Sequence, residues 1–240
     1  MSKPDSSRAV FRNDILSALP ITEIELLFPQ LNHVTLVSGQ ALYEPNSPVT
    51  DVFFVEEGVV SLTADTHDSG HVEVGLTGRE GFVGASVLLN PEPHSVHRAF
   101  TQAAGGAYRV SSAAMRSAID RSAILRDRCL RYVEMLMVQS SQGAACNARH
   151  NLPERLARWL LMVRDRIDSD TLPMTQEFLS VMLGVRRSGV SVAAGTLQAG
   201  GYIRALRGQI RIVDPAGLEA ASCDCYRIIR ESQKRILGSM

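Results

Sequence analysis

The period of the hydrophobic pattern changes twice along the chain. From Ala9 to Leu27 the apolar positions Val10, Ile15, Leu16 and Leu19 have helical spacing, and Pro20 punctuates them. Thr22-x-x-Glu25 then forms a capping-box pattern ahead of Leu26-Leu27-Phe28. From His33 to Val110 the pattern becomes short runs rich in β-branched residues: HVTLV (33–37), DVFFV (51–55), VVSLT (59–63), VEVGL (72–76), HRAF (97–100) and GAYRV (106–110). Turn-forming clusters separate them, among them Ser38-Gly39, Pro45-Asn46-Ser47-Pro48, Glu57-Gly58 and Gly78-Arg79-Glu80-Gly81. Many short strands at this spacing predict an antiparallel barrel or jelly roll, an architecture that can enclose a ligand cavity.

Helical spacing returns at Ser112, and Ser122–Ala148 runs without a proline. Leu125, Cys129, Tyr132, Leu136 and Gln139 make one stripe, and Leu130, Val133, Met137, Ser140 and Ala144 make another. A helix with two such stripes has two surfaces to bury. One suits the roll, and the other suits the same helix of a second copy. Asn151-Leu152-Pro153 breaks the pattern near His150, which places a hinge there. Leu156, Trp159, Leu160, Val163 and Ile167 then give a one-faced helix. Next come a segment Thr175–Leu183, a Gly184-Val185 turn, a second segment Arg186–Gln198, the Gly200-Gly201 break and two β-prone runs. That order predicts a helix-turn-helix followed by a wing. Asp214-Pro215 should open a final helix to about Ile236. The expected divisions are 1–120 for the roll with its leading helices, 121–149 for the long helix and 150–240 for the winged unit.

Charge changes the picture only locally. The chain has 25 Lys+Arg against 25 Asp+Glu. Residues 1–150 hold 12 basic and 16 acidic side chains, and residues 151–240 hold 13 and 9. Arg186, Arg187, Arg204, Arg207 and Arg211 lie between Phe178 and Val213 with no Asp or Glu among them. A basic rear half points to a polyanionic partner. No apolar run approaches the ~18 residues of a membrane span, and the N-terminus lacks a signal-peptide core. The expected location is cytoplasmic, with no membrane partner. Four cysteines (129, 146, 223, 225) make no disulfide framework, and Cys223-x-Cys225 shows no second pair and no nearby His. No metal site is therefore expected.

The order roll, long helix, hinge, helix-turn-helix, wing resembles the Crp/Fnr superfamily of bacterial transcription factors. The marks are Val37-Ser38-Gly39-Gln40-x-Leu42-Tyr43, Val52–Gly58, Arg79-Glu80-Gly81-Phe82-Val83-Gly84, Pro153–Leu160 and Thr175-Gln176-Glu177-x-Leu179 through Leu183-Gly184-Val185-Arg186-Arg187. The resemblance covers roughly Leu31 to Val213. It implies an α+β chain: an N-terminal antiparallel β-roll, a long dimerisation helix and a C-terminal winged helix-turn-helix. It further implies a non-enzymatic homodimer joined through 121–148 that binds double-stranded DNA and meets RNA polymerase.

On that resemblance Arg186, Arg187, Ser188, Ser191 and Val192 face base edges in the major groove. Arg187 matches a base-reading Arg, whereas Ser188 and Val192 replace a Glu and a second Arg, so a different half-site is expected. Thr175 and Gln176 at a helix N-terminus, with Arg204, Arg207 and Arg211 in the wing, suit backbone phosphates. The ligand pocket falls at Gly84, Ala85, Ser86, His94 and Ser95. Ala85 or Ser86 stands where cyclic-AMP binders carry a ribose-binding Glu, and His94 stands where they carry a phosphate-binding Arg. The expectation is no cyclic nucleotide. No Cys precedes Cys129, so an N-terminal Fe–S cluster is not expected either. Haem stays open, with His33, His67, His71, His94, His97 and His150 available. The first alternative is a cyclic-nucleotide-responsive activator with a divergent pocket, and two other readings compete beside it. One is a cupin-like binder or enzyme using His67, His71 and Glu73. The other is a regulator acting through protein contacts alone.

Overall fold

The computed structural model describes residues 11–27, 29, 31–66 and 70–238. Helices α1 (Asp14–Ser17) and α2 (Ile21–Leu27) lead into a sheet of β1 (Asn32–Leu36), β2 (Ala41–Tyr43), β3 (Asp51–Thr66), β4 (Gly70–Thr77), β5 (Phe82–Val83) and β6 (Arg98–Ser111), with α3 (Ser86–Leu89) between the last two. The ladder order is β1-β6-β3-β4, with β2 on β6 and β5 on β3. Every pairing is antiparallel. This is the expected β-roll.

Its six strands equal the hydrophobic runs in number but not in position: four of the runs merge into two long strands, and the short β2 and β5 fall outside the runs. Glu57-Gly58 is not a turn, because DVFFV and VVSLT belong to the single strand β3. HRAF and GAYRV likewise join in β6, and the β3–β6 register shifts around Val55, Glu57 and Val59. Gly58 has φ +86°, and a Cβ there would run into the carbonyl oxygens of Ala103 and Ala104. Glycine at this point lets the strand bulge rather than reverse. Thr22 lies inside α2 and not ahead of it. The N-cap that matters is Asn13: its side chain accepts from the N–H groups of Ile15 and Leu16 and donates to the carbonyls of Val55 and Gly81 at 2.8 Å each. Val10, Phe28 and His67 lie outside the described residues.

Helix α4 (Ser112–Arg121) precedes α5 (Ala123–Arg149), whose N-cap Ser122 accepts from Leu125 N–H. The first predicted stripe faces the roll. Leu125, Cys129, Tyr132 and Gln139 are buried, and Met135 joins them while Leu136 is half-buried. Tyr132 donates to Thr77 Oγ1 (2.8 Å), and Gln139 donates to the Leu76 carbonyl (3.1 Å). The second stripe leaves Leu130 and Met137 45% and 67% exposed.

Helix α6 (Leu152–Ile167) starts at a reciprocal capping box between Asn151 and Glu154. Then follow β7 (Thr171–Leu172), α7 (Gln176–Leu183), α8 (Arg187–Ala199), β8 (Ile203–Leu206), β9 (Gln209–Ile212), α9 (Pro215–Ala221) and α10 (Asp224–Leu237). The wing sheet runs β7-β9-β8. The single final helix expected from Asp214 is broken at Ser222-Cys223, where Cys223 becomes the N-cap of α10. The thiols of Cys223 and Cys225 do not stand alone either, because the fold sets Cys146 and His150 beside them. Helical periodicity hides this meeting, since 73 or more residues separate the two pairs.

The winged unit shares its core with the roll: Val59, Leu76 and Met135 pack in one cluster with Leu156, Leu160, Leu179, Val190 and Ile210. One buried ion pair pins the junction. Arg166 and Glu80, 8% and 5% exposed in their side chains, meet at 2.7 Å. Arg166 also donates to the Met162 carbonyl (2.6 Å) and to Gln139 Oε1 (3.3 Å), while Glu80 accepts from Gly78 N–H (3.2 Å). Removing one partner of such a pair leaves a buried charge alone. Glu80→Gln should cost about 3–5 kcal/mol in urea unfolding, and Arg166→Met with Glu80→Leu should cost less than Glu80→Gln alone. A loss under 1 kcal/mol for Glu80→Gln would show that the pair is not structural.

Candidate nucleic-acid interface and sensor cavity

The reading surface is built by two amphipathic helices locked at a fixed angle. Thr175 caps α7 through Phe178 N–H (3.1 Å). Gly184 ends α7 in the left-handed region at φ +63°, donating to the carbonyls of Ser180 and Val181. Arg186 is the N-cap of α8. Val190, Ala193, Ala194 and Leu197 turn inward, which leaves Arg186, Arg187, Ser188, Ser191 and Val192 on the open face. Val192 is 71% exposed. Gly189 keeps α8 close to α6: a Cβ there would lie 3.2 Å from Leu152, whereas Gly195 faces open space.

The wing continues the same surface. Arg207-Gly208 is the two-residue tip between Leu206 and Gln209, and Arg204 lies directly opposite Arg211 across the ladder. All three arginines are exposed. Two cations facing each other across a strand pair repel, and a polyanion relieves that repulsion. Thr175 and Gln176 are less free than the sequence implies. Thr175 spends its hydroxyl on its own helix, and Gln176 Oε1 accepts from the Ser191 hydroxyl at 2.6 Å, so it ties the two helices together. Glu177, one residue outside the acid-free stretch, lies 3.8 Å from Arg187 in an exposed pair. Such a pair is worth little in water and yields readily to another acceptor.

The roll holds a cavity of about 430 Å³, closed on one side by α5 through Val133, Leu136, Met137, Ser140 and Ser141. Gly84, Ala85, Ser86 and Ser95 line it as the sequence predicts. His94 does not. It is exposed, its Nδ1 lies 3.1 Å from the Glu92 carbonyl, and it bridges to Pro48. The consecutive residues Ser95, Val96 and His97 line the cavity instead, where the chain bends between His94 and the start of β6. Burial pushes the His97 imidazole below its usual range. Arg98, on the other side, stacks over Phe100 at 5.5 Å and pairs with Glu44 at 3.4 Å. Among the described residues the lining holds no Arg, Lys, Asp or Glu. A cyclic phosphate would find no guanidinium here, and a ribose would find no carboxylate. Of the cupin-like set, His67 lies outside the described residues, and the other two are engaged separately: His71 Nδ1 pairs with Asp65 at 2.5 Å, while Glu73 accepts from Trp159 Nε1 at 2.6 Å.

Sensor and reader meet along one seam. Trp159–Glu73 crosses it, Phe178 makes edge contacts with Phe100 and Trp159 at 6.4 and 6.2 Å, and Val72 lies against Gly184. A second, open cleft of about 460 Å³ lies between them, with Ser38, His71, Arg98 and Gln102 on the roll side and Thr175, Phe178 and Gly208 on the other.

A roll with a cavity walled on one side by the long helix, coupled through a shared core to a winged helix-turn-helix with an arginine face, defines a DNA-binding transcriptional regulator with a sensor domain. The comparisons agree. Residues 33–122 match the cyclic nucleotide-binding domain family, and residues 154–221 match the Crp-like helix-turn-helix domain family. The nitrogen fixation regulation protein FixK of Bradyrhizobium diazoefficiens is 25% identical over 226 residues, covering 90% of this chain and 92% of FixK. FixK2 from Bradyrhizobium japonicum has the same fold, with a TM-score of 0.68 at 17% identity, covering 80% of this chain and 98% of that one. So does CLP of Xanthomonas campestris, described as a c-di-GMP-responsive global regulator, with a TM-score of 0.65 at 16% identity over 80% of this chain and 99% of CLP. The chain belongs to the Crp/Fnr superfamily of transcriptional regulators.

The seam carries a titrating group. Burial raises the Glu73 carboxyl from an ordinary 4.5 to about 7, against the hydrogen bond from Trp159. The folded chain thus keeps a proton that the unfolded chain releases. Stability present below about pH 4.5 is therefore lost as pH rises to about 7. Glu73→Gln should remove that fall, about 3 kcal/mol, and raise the pH 8 melting temperature above wild type. An unchanged slope in urea unfolding between pH 5 and pH 8 would overturn this.

Proposed function

We propose that the chain acts as a cytoplasmic homodimer that reads a two-fold-related DNA site. Each copy places α8 in the major groove and the β8–β9 wing on adjacent phosphates. The observation that carries the reading is the continuous exposed surface of Arg186, Arg187, Ser191, Val192, Arg204, Arg207 and Arg211 over a fully apolar back. Arg187 is the base-reading residue, because Arg offers guanine a bidentate donor pair. Arg204, Arg207 and Arg211 supply phosphate contacts. Ser188 and Val192 in place of Glu and Arg give the protein a half-site of its own. Residues 11–120 form the sensor, 121–149 the dimer helix and 150–238 the reader. RNA polymerase is the protein partner that a promoter-bound regulator has to meet. No catalytic role is proposed.

The exposed Leu130 and Met137, with half-buried Val133 between them, supply the dimer surface. The same stretch closes the sensor cavity, so occupancy of the roll can bear directly on how two copies pack. The cavity wall of aliphatic and aromatic groups, hydroxyls and the near-neutral His97 suits an uncharged ligand. We propose neither a cyclic nucleotide nor an Fe–S cluster for it, since its wall offers no guanidinium, no carboxylate and no thiol among the described residues.

Gel shifts with the protein's own upstream DNA and a scrambled duplex, at two salt concentrations, test the reading. Arg187→Ala should lose about 1–3 kcal/mol on the specific site only. Arg207→Ala should weaken both duplexes alike and reduce the salt slope by about one. Equal losses on both duplexes for Arg187→Ala would remove its assigned role. Separately, Leu130→Glu with Met137→Lys should sediment as a monomer at concentrations where wild type is a dimer. A variant that stays dimeric would move the interface elsewhere.

A further inference from the structure

Cys146 lies in the last turn of α5 and His150 is the C-cap four residues on, bonded through its N–H to the Cys146 carbonyl. Cys223 and Cys225 occupy the N-cap and first turn of α10. The fold brings these two pairs together, and the four ligand atoms all lie within 4.8 Å of one another. Cys146 Sγ is 3.4 Å from Cys223 Sγ, and Cys225 Sγ is 3.5 Å from His150 Nδ1. Cys146, Cys223 and Cys225 are 0%, 6% and 1% exposed and form a small core of their own. Cys129, the remaining cysteine, is buried in the roll and takes no part.

We propose that Cys146, His150, Cys223 and Cys225 bind a zinc-class divalent metal ion, tying α10 to the end of the dimer helix. Three thiolates and one imidazole are a standard donor set for a closed, four-coordinate structural zinc site. With Zn–S bonds of about 2.3 Å, a tetrahedron has edges of about 3.7 Å, close to the spacings here. The compactness also selects a single ion, since a polynuclear iron–sulfur cluster spreads its thiolates over several metal atoms.

The surroundings suit the charge. Three thiolates and a divalent ion leave one negative charge. The N-terminus of α10 presents partial positive charge to it. Arg155 and Arg158 lie within electrostatic reach of Cys146, and the Nε of each is buried without a hydrogen-bond partner. Without a metal the buried thiols have only weak partners, such as Gln142 Nε2 at 3.1 Å from Cys225 Sγ. On binding, each of the three thiols gives its proton to solvent and its sulfur lone pair to the metal, and His150 binds neutral through Nδ1. A dication is consumed, and three protons and a singly negative site result, so charge balances.

The claim stands apart from DNA reading, because its test uses no DNA. The full chain, reduced and stripped with chelator, is titrated with Co2+ and then with Zn2+. One Co2+ per chain should bind, with a thiolate-to-cobalt charge-transfer band and the intense d–d bands of a tetrahedral ion, and Zn2+ should abolish both. Cys225→Ser and His150→Ala should weaken Co2+ binding by more than the about 10–100-fold that loss of an outer-shell partner costs. Cys129→Ser should bind as wild type. Zn2+ should raise the melting temperature of wild type and leave that of Cys146→Ser/Cys223→Ser unchanged.

Three results would overturn the proposal. The first is an octahedral Co2+ spectrum, or none, on the wild-type chain, a readout that needs no variant to fold. The second is equal loss of binding in Cys129→Ser and Cys225→Ser. The third is a Cys146–Cys223 disulfide in the untreated chain, with all four thiols freely titratable beside stoichiometric Zn2+ after reduction.

Discussion

The junction between sensor and reader depends on a charge that has to be buried. Arg166 belongs to the first helix of the reader, Glu80 to the turn after β4, and Gln139 to the long helix, and the guanidinium joins all three. A pair so far from water adds little net stability, because desolvating both ions costs nearly what their attraction returns. What it does impose is position. Any rigid shift of α6 against the roll strands one ion in an apolar seam. The apolar contacts around it, from Val59 and Leu76 to Leu156 and Leu160, are tolerant of small slides in a way the ion pair is not. Trp159 on Glu73 adds a second directional contact along the same seam.

Around that pin the long helix divides its labour by face. One face is committed to the roll by Tyr132, Gln139 and Ser140, which satisfy Thr77 and two β4 carbonyls. The opposite face carries Leu130 and Met137 in water. Residues between these faces complete the cavity wall. A molecule entering the roll therefore touches the sheet, the helix and the edge of the pairing surface at once. The reader is held at the far end of the same helix, beyond a two-residue link. The arginine face needs no help from net charge, which is zero for the whole chain. It arises because the fold brings Arg186, Arg187, Arg204, Arg207 and Arg211 to the exposed side of α8 and the wing.

The local features were legible because local rules write them. Gly184 with its positive φ, the apolar spacing of Val190, Ala194 and Leu197, and the break before α6 all show in the sequence and recur in the structure. The strand boundaries did not, since a glycine-centred bulge and a tight turn leave the same residue signature. His94 was assigned to the pocket by correspondence with relatives, yet it bridges Pro48 and stands exposed, and the bend after it brings Ser95, Val96 and His97 to the wall instead. The fate of Gln176 was also hidden: its amide oxygen is occupied by a serine fifteen residues on. The cysteine–histidine cluster was least legible of all, because each half is an unremarkable pair until tertiary packing of α10 on α5 joins them.

The link between the long helix and α6 has a kinetic consequence. His150 and Asn151 are both extended, at ψ 148° and 164°. Each helix is closed off on its own side, the first by the His150 N–H on the Cys146 carbonyl and the second by the Asn151–Glu154 box. Turning one helix relative to the other thus breaks no intrahelical hydrogen bond and unravels no turn. The barrier to reorienting the reader therefore lies in side-chain contacts, both those across the seam and those of α10 on α5 around Cys146 and His150, which places such a motion among the microsecond-to-millisecond hinge rotations and not among slower local unfolding events.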